Sequence, residues 1–402
     1  MLTEPVSAVQ SPRPLRTSPA YPSHVEAGAS FGEKSGWGRV NFFRTNEASG
    51  DLSRRPHGAA GKAWSAAIEA EHRATRESAG LFDLTSFGKI EVAGPGAAQL
   101  LEFVCDNDVE RGPGRATYAQ MLNDAGGIVA DITVTQIDVS TFFVVTGTSC
   151  LPHDIGWIRR HAAAVSDVTI RDVTSGWTCF GVWGPNARDI LGGLTPQALD
   201  SGEFPYMTMR ETTIGEIPVR MIRLTFVGEL GWEIYTPSEY GRSLWAQLTE
   251  AVQSGGGLRC GYKAIDSLRA EKGYVYLGAD VTADTTPYEA GLGFCVRPDK
   301  PFVGRDALLA AGQPQRKLVT LALDEPGLVV SGGETVLLDG QPAGTVTSGG
   351  LGHTLGLSLA FVYLPVRAVP GTAVRVLLDD RQVAGKVVAQ PLYDPKGLRI
   401  KA

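Results

Sequence analysis

The chain has 402 residues, enough for two or three domains around a substantial buried core. Its formal charge of −6 argues against a nucleic-acid binder, which would carry a basic stripe. No apolar run approaches the roughly 20 residues that cross a bilayer, and the start Met1-Leu-Thr-Glu-Pro5 lacks a basic region followed by an apolar stretch, so a cytoplasmic protein is expected.

Residues 1–35 are rich in Ser, Pro, Ala and Gly and read as a flexible leader or partner-contacting arm. Ser65 to Ala79 has helix-forming composition and runs into Gly80, a helix stop signal. A strand with Ile90 and Val92 follows, and Gly94-Pro-Gly96 opens a helix over Ala97 to Val104. A hairpin centres on Gly126-Gly127. Ser140 to Thr146 and Val168 to Val173 read as strands on either side of a helix over His153 to Ala164. Further helices are predicted over Asn186 to Leu191 and Tyr240 to Val252, giving an α+β pattern. Beyond Gln313 helical segments give way to short apolar runs between glycine turns, as in Lys317 to Ala322, Val374 to Leu378 and Val383 to Val388. That spacing predicts an antiparallel barrel or sandwich over 313–402, with 36–312 as the larger unit.

Five cysteines, Cys105, Cys150, Cys179, Cys260 and Cys295, are scattered without a close pair, which fits reduced core residues better than a disulfide framework or a zinc site. Cys105 sits in the apolar run Phe103-Val-Cys105, where core packing is the simpler reading. The six histidines show no metal-binding spacing, so no structural metal is predicted.

Two segments carry ionisable groups into apolar strands. In Tyr118 to Asp131 the Gly126-Gly127 turn is followed by Ile128, Val129, Ile132 and Val134, and Asp131 enters that β-branched strand as a lone carboxylate. A structural Asp capping nearby backbone is the plain alternative. In Phe226 to Tyr235, Glu229 and Glu233 occupy a similar setting.

Both segments resemble the folate-binding signatures of the glycine-cleavage T-protein (aminomethyltransferase) family, and most closely those of the tetrahydrofolate half of dimethylglycine and sarcosine dehydrogenases. The resemblance runs in order through Gly80 to Gly88, Val173-Thr-Ser175, Trp183-Gly-Pro185, Ser267-Leu-Arg269, Glu271-Lys-Gly273, Thr286 to Gly291, Phe302 to Arg305, Gly344 to Ser348 and Tyr393-Asp-Pro395. It implies two interwoven α+β subdomains arranged with a C-terminal barrel around a folate channel. It also implies tetrahydrofolate, or 5,10-methylenetetrahydrofolate, as the cofactor.

Under that resemblance Glu233 holds the pterin, since one carboxylate accepts two parallel hydrogen bonds from a ring N–H and an exocyclic amine. Glu229 is its rival in the same motif, and Tyr235 and Phe226 offer apolar or stacking surface. Asp131 matches the position facing the reactive one-carbon edge, where an enclosed carboxyl titrates nearer neutrality and exchanges a proton. Tyr118 either holds folate and orients Asp131 or packs as a sheet aromatic. Arg269, Lys272 and Arg297 are candidates for the anionic glutamate tail, or solvated charges. Tyr288 and Glu289 either line the channel or pack in the core. At Ile265 the T-protein pattern usually has a folate-contacting arginine, a departure that weakens an ordinary glycine-cleavage role.

The dehydrogenases carry an amino-terminal flavin domain, and no Gly-x-Gly-x-x-Gly follows a predicted strand here: Gly94-Pro-Gly96 comes nearest, with Gln99 where the third glycine belongs. The chain is therefore expected to bind no FAD by that motif. The reading is a tetrahydrofolate-dependent one-carbon transferase that moves a methylene or methyl group between an N-methyl or O-methyl substrate and tetrahydrofolate, with a separate flavin oxidase or dehydrogenase subunit as the expected partner. The alternatives are a flavin-independent O- or N-demethylase, a biosynthetic enzyme that donates one carbon, and a folate-binding accessory or assembly factor. Against the last, the iron–sulfur branch's Lys-Gly-Cys-Tyr motif is replaced by Lys272-Gly-Tyr-Val275.

Overall fold

A computed structural model describes residues 14–57, 59–379 and 381–402. Two sheets and a barrel organise the chain. The five-stranded sheet runs in the order Ala116–Leu122, Ile128–Gln136, Thr141–Thr146, Gly88–Ala93 and Thr169–Asp172. Its alternation sends Ile90, Val92, Ala130, Ile132, Val134 and Val144 to one face, where the helices Ala97–Val104 and Leu151–Ala162 cover them. The six-stranded sheet runs in the order Met209–Ile214, Ile217–Ile222, Gly231–Pro237, Trp177–Trp183, Gly80–Asp83 and Leu258–Cys260. Phe180, Val182, Trp232 and Ile234 point to the helix Gly241–Ser254, packing on Leu244, Trp245 and Leu248.

The opposite faces of the two sheets share a third apolar layer. Phe143 and Val145 from the first sheet meet Phe82, Cys179, Ile222 and Tyr235 from the second, and the Phe143 and Tyr235 rings cross edge to face at 5.3 Å. Both faces of each sheet are thus buried, which leaves few places for a charged side chain without a function or a partner.

Residues 316–388 close a six-stranded antiparallel barrel in the order Arg316–Leu323, Leu357–Pro365, Gln341–Gly352, Thr335–Leu338, Ala373–Leu378 and Arg381–Val388. The predicted antiparallel barrel is therefore present. Its outer side reaches the hairpin of the first sheet through Leu122, Ile128, Leu308, Leu318 and Phe361.

Two expectations need correction. Residues 14–35 are not a loose leader: Tyr21–Glu26 is a helix, and Ala29–Lys34 pairs with Trp37–Phe43. The buried His24 places Nε2 2.7 Å from the Asp83 carboxylate, and the Arg16 guanidinium lies 4.3 Å from the Trp37 ring centroid. Local composition hid this because the contacts that order the segment lie later in the chain; residues 1–13 are outside the described residues. The helix predicted over Ser65 to Ala79 spans Ala66–Glu77, with Ser65 capping it through the Ala67 N–H. Gly80 opens a strand instead of stopping the helix, and a Cβ there would lie 2.4 Å from Thr75 Oγ1, so close packing requires the glycine.

Candidate active site between the two sheets

The hairpin that carries Asp131 is set by its turn. Asn123 Oδ1 accepts from the N–H groups of Ala125 and Gly127, and Gly126 has a φ of 84°, which favours glycine. A Cβ on Gly127 would stand 1.8 Å from the Ala283 carbonyl oxygen, while Ile128 N–H donates to Thr285 O at 2.9 Å. The tip is thereby pinned against residues 283–285. Across the hairpin Tyr118 pairs with Thr133 and Gln120 with Asp131, so all four side chains lie on the face that looks toward the second sheet.

Asp131 is half-buried there, and its Oδ1 has no partner. Burial pushes its carboxyl up to about 6, the Tyr118 hydroxyl works against that rise, and the charge of Asp154 adds to it. The phenol of Tyr118 is raised by burial and then by the Asp131 charge, so it stays a neutral donor, and its ring stacks on the exposed Phe294 at 6.3 Å.

Glu233 lies on the facing sheet, opposite Gly181 and on the same side as Tyr235. The Tyr235 hydroxyl donates to its Oε2 at 2.5 Å. Burial lifts the Glu233 carboxyl to about 7, with the Tyr235 hydrogen bond and the Lys89 ammonium opposing. Lys89 extends from the first sheet, is fully buried and donates to the carbonyls of Thr85 and Phe87 at 2.7 and 3.1 Å. Burial lowers its ammonium to about 8. Two carboxylates on facing sheets thus titrate near neutrality with free acceptor capacity, which suits proton exchange and the recognition of a polar ring.

The remaining candidates separate by their partners. Glu229 accepts from Arg76 at 3.0 Å and from the Tyr393 hydroxyl at 2.5 Å, inside a buried network in which Arg76 also pairs with Glu271 at 3.1 Å. Arg269 donates to Asp280 at 2.7 Å and to Ser348 of the barrel. Lys272 pairs with Asp394 at 3.1 Å. Glu289 pairs with Arg316 at 2.8 Å, and Tyr288 packs at the barrel contact. The geometry employs these groups in holding elements together. Arg297 is exposed, with its guanidinium on the carbonyls of Phe294 and Val296. Phe226 stacks on Tyr274 at 5.8 Å at the edge of the shared layer, and Ile265 is buried within it. Cys105 is buried in the first core, where burial raises its thiol, and all five cysteines are free.

Sequence reasoning missed Lys89, Asp106 and Gln120. Lys89 had a signal: it alternates with Ile90 and Val92, so once both faces of the sheet are known to be covered it must point inward. Asp106 and Gln120 had none, because their burial depends on a loop and a strand meeting out of sequence.

Against known proteins, the GCVT N-terminal domain model matches residues 20–300 and the glycine cleavage T-protein C-terminal barrel model matches residues 316–394. The chain belongs to the glycine-cleavage T-protein family. It is 32% identical over 388 residues to an aminomethyltransferase of Symbiobacterium thermophilum, covering 94% of this chain and 97% of that one. The aminomethyltransferase T of the Bartonella henselae glycine cleavage system superposes with a TM-score of 0.81 at 27% identity, covering 95% and 99% of the two chains. It is also 34% identical to a formaldehyde-forming 4-methylaminobutanoate oxidase of Paenarthrobacter nicotinovorans, covering 98% of this chain, and 31% identical to the mitochondrial dimethylglycine dehydrogenase of Rattus norvegicus, covering 92%. The chain spans 48% and 43% of those two relatives' lengths, about half in each case.

T-protein family members are folate-dependent one-carbon transferases. The residues between the sheets fit a reduced folate in donor chemistry: Glu233 offers a carboxylate for a forked donor pair, and Asp131 Oδ1 is a buried acceptor without a protein partner. Two surface hollows, of about 500 Å³ beside Lys300 and Arg305 and about 570 Å³ beside Trp64 and Arg55, include neither carboxylate. Among the described residues no helix is long and apolar enough to cross a membrane.

Proposed function

We propose that this protein moves a one-carbon unit, methylene or methyl, between an N-methyl or O-methyl substrate and tetrahydrofolate. The observation that carries the reading is the pair of carboxylates on facing sheets, Asp131 and Glu233, each raised toward neutrality, with Oδ1 of Asp131 unpaired and Oε2 of Glu233 braced by the Tyr235 hydroxyl. When bound, tetrahydrofolate supplies the ring and bridge nitrogens that carry the one-carbon unit. Glu233, braced by Tyr235, holds the pterin through a forked pair of hydrogen bonds. Asp131 Oδ1 takes and returns a proton at the reacting edge, and the ionised carboxylate favours a cationic donor beside it. The neutral Tyr118 hydroxyl orients that carboxylate. Glu229 and Arg269 serve this site indirectly, through the ion pairs that fix neighbouring elements.

The one-carbon donor is an N-methyl compound oxidised by a separate flavin subunit. Two matches support this: the chain aligns with about half of an oxidase and of a dehydrogenase whose names specify N-methyl substrates. Direct O- or N-demethylation without flavin is the second reading, since a carboxyl that exchanges a proton beside the bound folate serves that transfer as well. The test incubates purified protein and tetrahydrofolate with a panel of methylated amines and ethers, with and without formaldehyde, and reads the folate product by mass spectrometry. Methylenetetrahydrofolate formed faster than in the enzyme-free control, and only when formaldehyde or an oxidase is supplied, supports the first reading, and methyltetrahydrofolate formed from the methylated compound alone supports the second. No folate product above the enzyme-free control under any condition refutes both.

A further inference from the structure

The buried cations described above are each answered by a carboxylate: Arg76 by Glu229 and Glu271, Arg269 by Asp280 and Lys272 by Asp394. Arg39 differs. Among the described residues its guanidinium makes no hydrogen bond and no ion pair, and its Nε atom is buried without a partner. The guanidinium lies instead 3.2 Å from the centroid of the Tyr262 ring, a contact that uses its positive charge and none of its N–H donors.

The local sequence brings these two side chains together. Arg39 stands on the strand Trp37–Phe43, and a Cβ on Gly261 would lie 2.2 Å from the Asn41 carbonyl oxygen, so glycine lets this strand abut the start of the helix Tyr262–Lys272. The Tyr262 hydroxyl is 3.2 Å from Ser86 Oγ, which is 3.0 Å from Thr148 Oγ1. Ser86 belongs to the link between Gly80–Asp83 of the second sheet and Gly88–Ala93 of the first. Thr148 lies just beyond Thr146, whose partner across the sheet is Ile132, the neighbour of Asp131. A row of three hydroxyls thus runs from the ring that holds Arg39 to the strands beside Asp131.

Lys34 joins Arg39. In the amino-terminal hairpin Lys34 pairs with Trp37 and Gly32 with Arg39, so strand alternation puts Lys34 and Arg39 on one face. Lys34 also has no hydrogen bond or ion pair among the described residues. Its charge is felt at the turn after Thr148: burial and the Asp154 charge raise the Cys150 thiol, Lys34 opposes that rise, and Asp131 adds to it. Nearby acids are already bonded, Asp83 to His24 at 2.7 Å and Glu71 to the N–H groups of Phe43 and Gly261 at 2.7 and 2.8 Å. Two cations with unused donors, beside a row of hydroxyls, fit a carboxylate brought from outside.

We propose that Arg39, with Lys34, forms a carboxylate-binding subsite at this end of the transfer site. The proposal rests on the one-carbon reading above. Two ligands of that reading carry the group: a methylated amino acid serving as donor, with its methyl group toward Asp131, and the glutamate end of the folate. Either meets the subsite through charge-assisted hydrogen bonds from the guanidinium, which Tyr262 holds in place.

Calorimetry on the full-length protein tests this by comparing each ligand with a twin that lacks the carboxylate. Tetrahydrofolate is set against tetrahydropteroate, and N-methylglycine against N-methylglycinamide on folate-free protein. In at least one pair the wild type should prefer the carboxylate about tenfold or more, and Arg39→Gln should abolish that preference while the twin binds as before. The pair that responds identifies the source. Nitrogen NMR of arginine-labelled wild type gives a second readout: the Arg39 Nε–H signal, assigned by its loss in Arg39→Lys, should shift when the preferred ligand binds. No preference in either pair, or a preference that folded Arg39→Gln retains, overturns the proposal. If Arg39→Gln does not fold, the wild-type Nε–H signal decides, and a signal unmoved by the preferred ligand overturns it. Failure of both folates to bind refutes the transferase reading, while the amine pair still decides the subsite, so the two failures are told apart.

Discussion

Replacing Asp131 by Asn keeps the shape of the side chain, removes its charge, and should trade activity for stability. The carboxyl is raised from 3.8 to about 6 in the fold, chiefly by burial. A raised carboxyl pKa means that the folded protein resists ionisation, so the penalty is absent below about pH 4, grows between about pH 4 and 6, and is constant above. A shift of that size corresponds to at most about 3 kcal/mol, and solvent reaching the half-buried group reduces it to roughly 1–2 kcal/mol. Asp131→Asn should therefore raise the melting temperature at about pH 7 by a few degrees and leave it unchanged near pH 4. Turnover of the one-carbon unit should fall by about 10²-fold or more while folate binding, followed by calorimetry, persists. In the wild type, activity that needs ionised Asp131 should drop about tenfold per pH unit below the midpoint near 6. Near-normal turnover in Asp131→Asn, with or without the gain in stability, would leave Asp131 a structural residue and refute the reasoning.

Glu233→Ala should weaken tetrahydrofolate binding by roughly 2–4 kcal/mol in calorimetry, and wild-type affinity should fall as pH drops through the Glu233 midpoint near 7, because the ionised form is the acceptor. Glu229→Ala should behave differently: it removes one of two buried carboxylates from Arg76, which keeps Glu271, and strands the Tyr393 hydroxyl, so it should cost about 1–3 kcal/mol of stability in denaturant unfolding, and loss of binding in a fully folded Glu229→Ala with none in Glu233→Ala would reverse the two roles. Gly127→Val should unseat the hairpin tip from Ala283 and lower both stability and turnover, as read by melting temperature and the transfer assay. Protein purified under native conditions should show no flavin absorption; a stoichiometric flavin spectrum would remove the need for a separate oxidase.

The parts of this molecule that were legible in its sequence are those written locally. Gly126-Gly127 followed by β-branched residues announces the hairpin, and the glycine-punctuated runs beyond Gln313 announce the barrel. Asp131 and Glu233 stand out because each is an acid in an apolar strand, and a strand buried on both faces gives such a residue no easy exit to water. Partnership is where local reading ends. Glu229 and Glu233 share one motif, yet the Arg76 that occupies Glu229 lies 153 residues away and the Tyr393 that bonds it lies 164 away. Arg269 looks free until Asp280 and the barrel's Ser348 fold against it. The ordered stretch from Arg16 to Lys34 was illegible for the same reason: Asp83 holds His24.

The Arg76 network also imposes a timetable on synthesis. Its helix is made early, but the groups that neutralise and enclose the guanidinium arrive at Glu229, Glu271 and finally Tyr393, whose ring lies 3.7 Å from it, while Arg399 donates back to the Arg76 carbonyl across 323 residues. Until those residues emerge, Arg76 is best left in water, so the packing of its helix against Tyr262–Lys272 cannot be finished early in translation. A ribosome that stalls before Tyr393 would release a chain in which Glu229 and Glu271 can already answer the charge of Arg76 but the ring that encloses the guanidinium is missing, an incompletely sealed species that proteases can tell apart from the full chain.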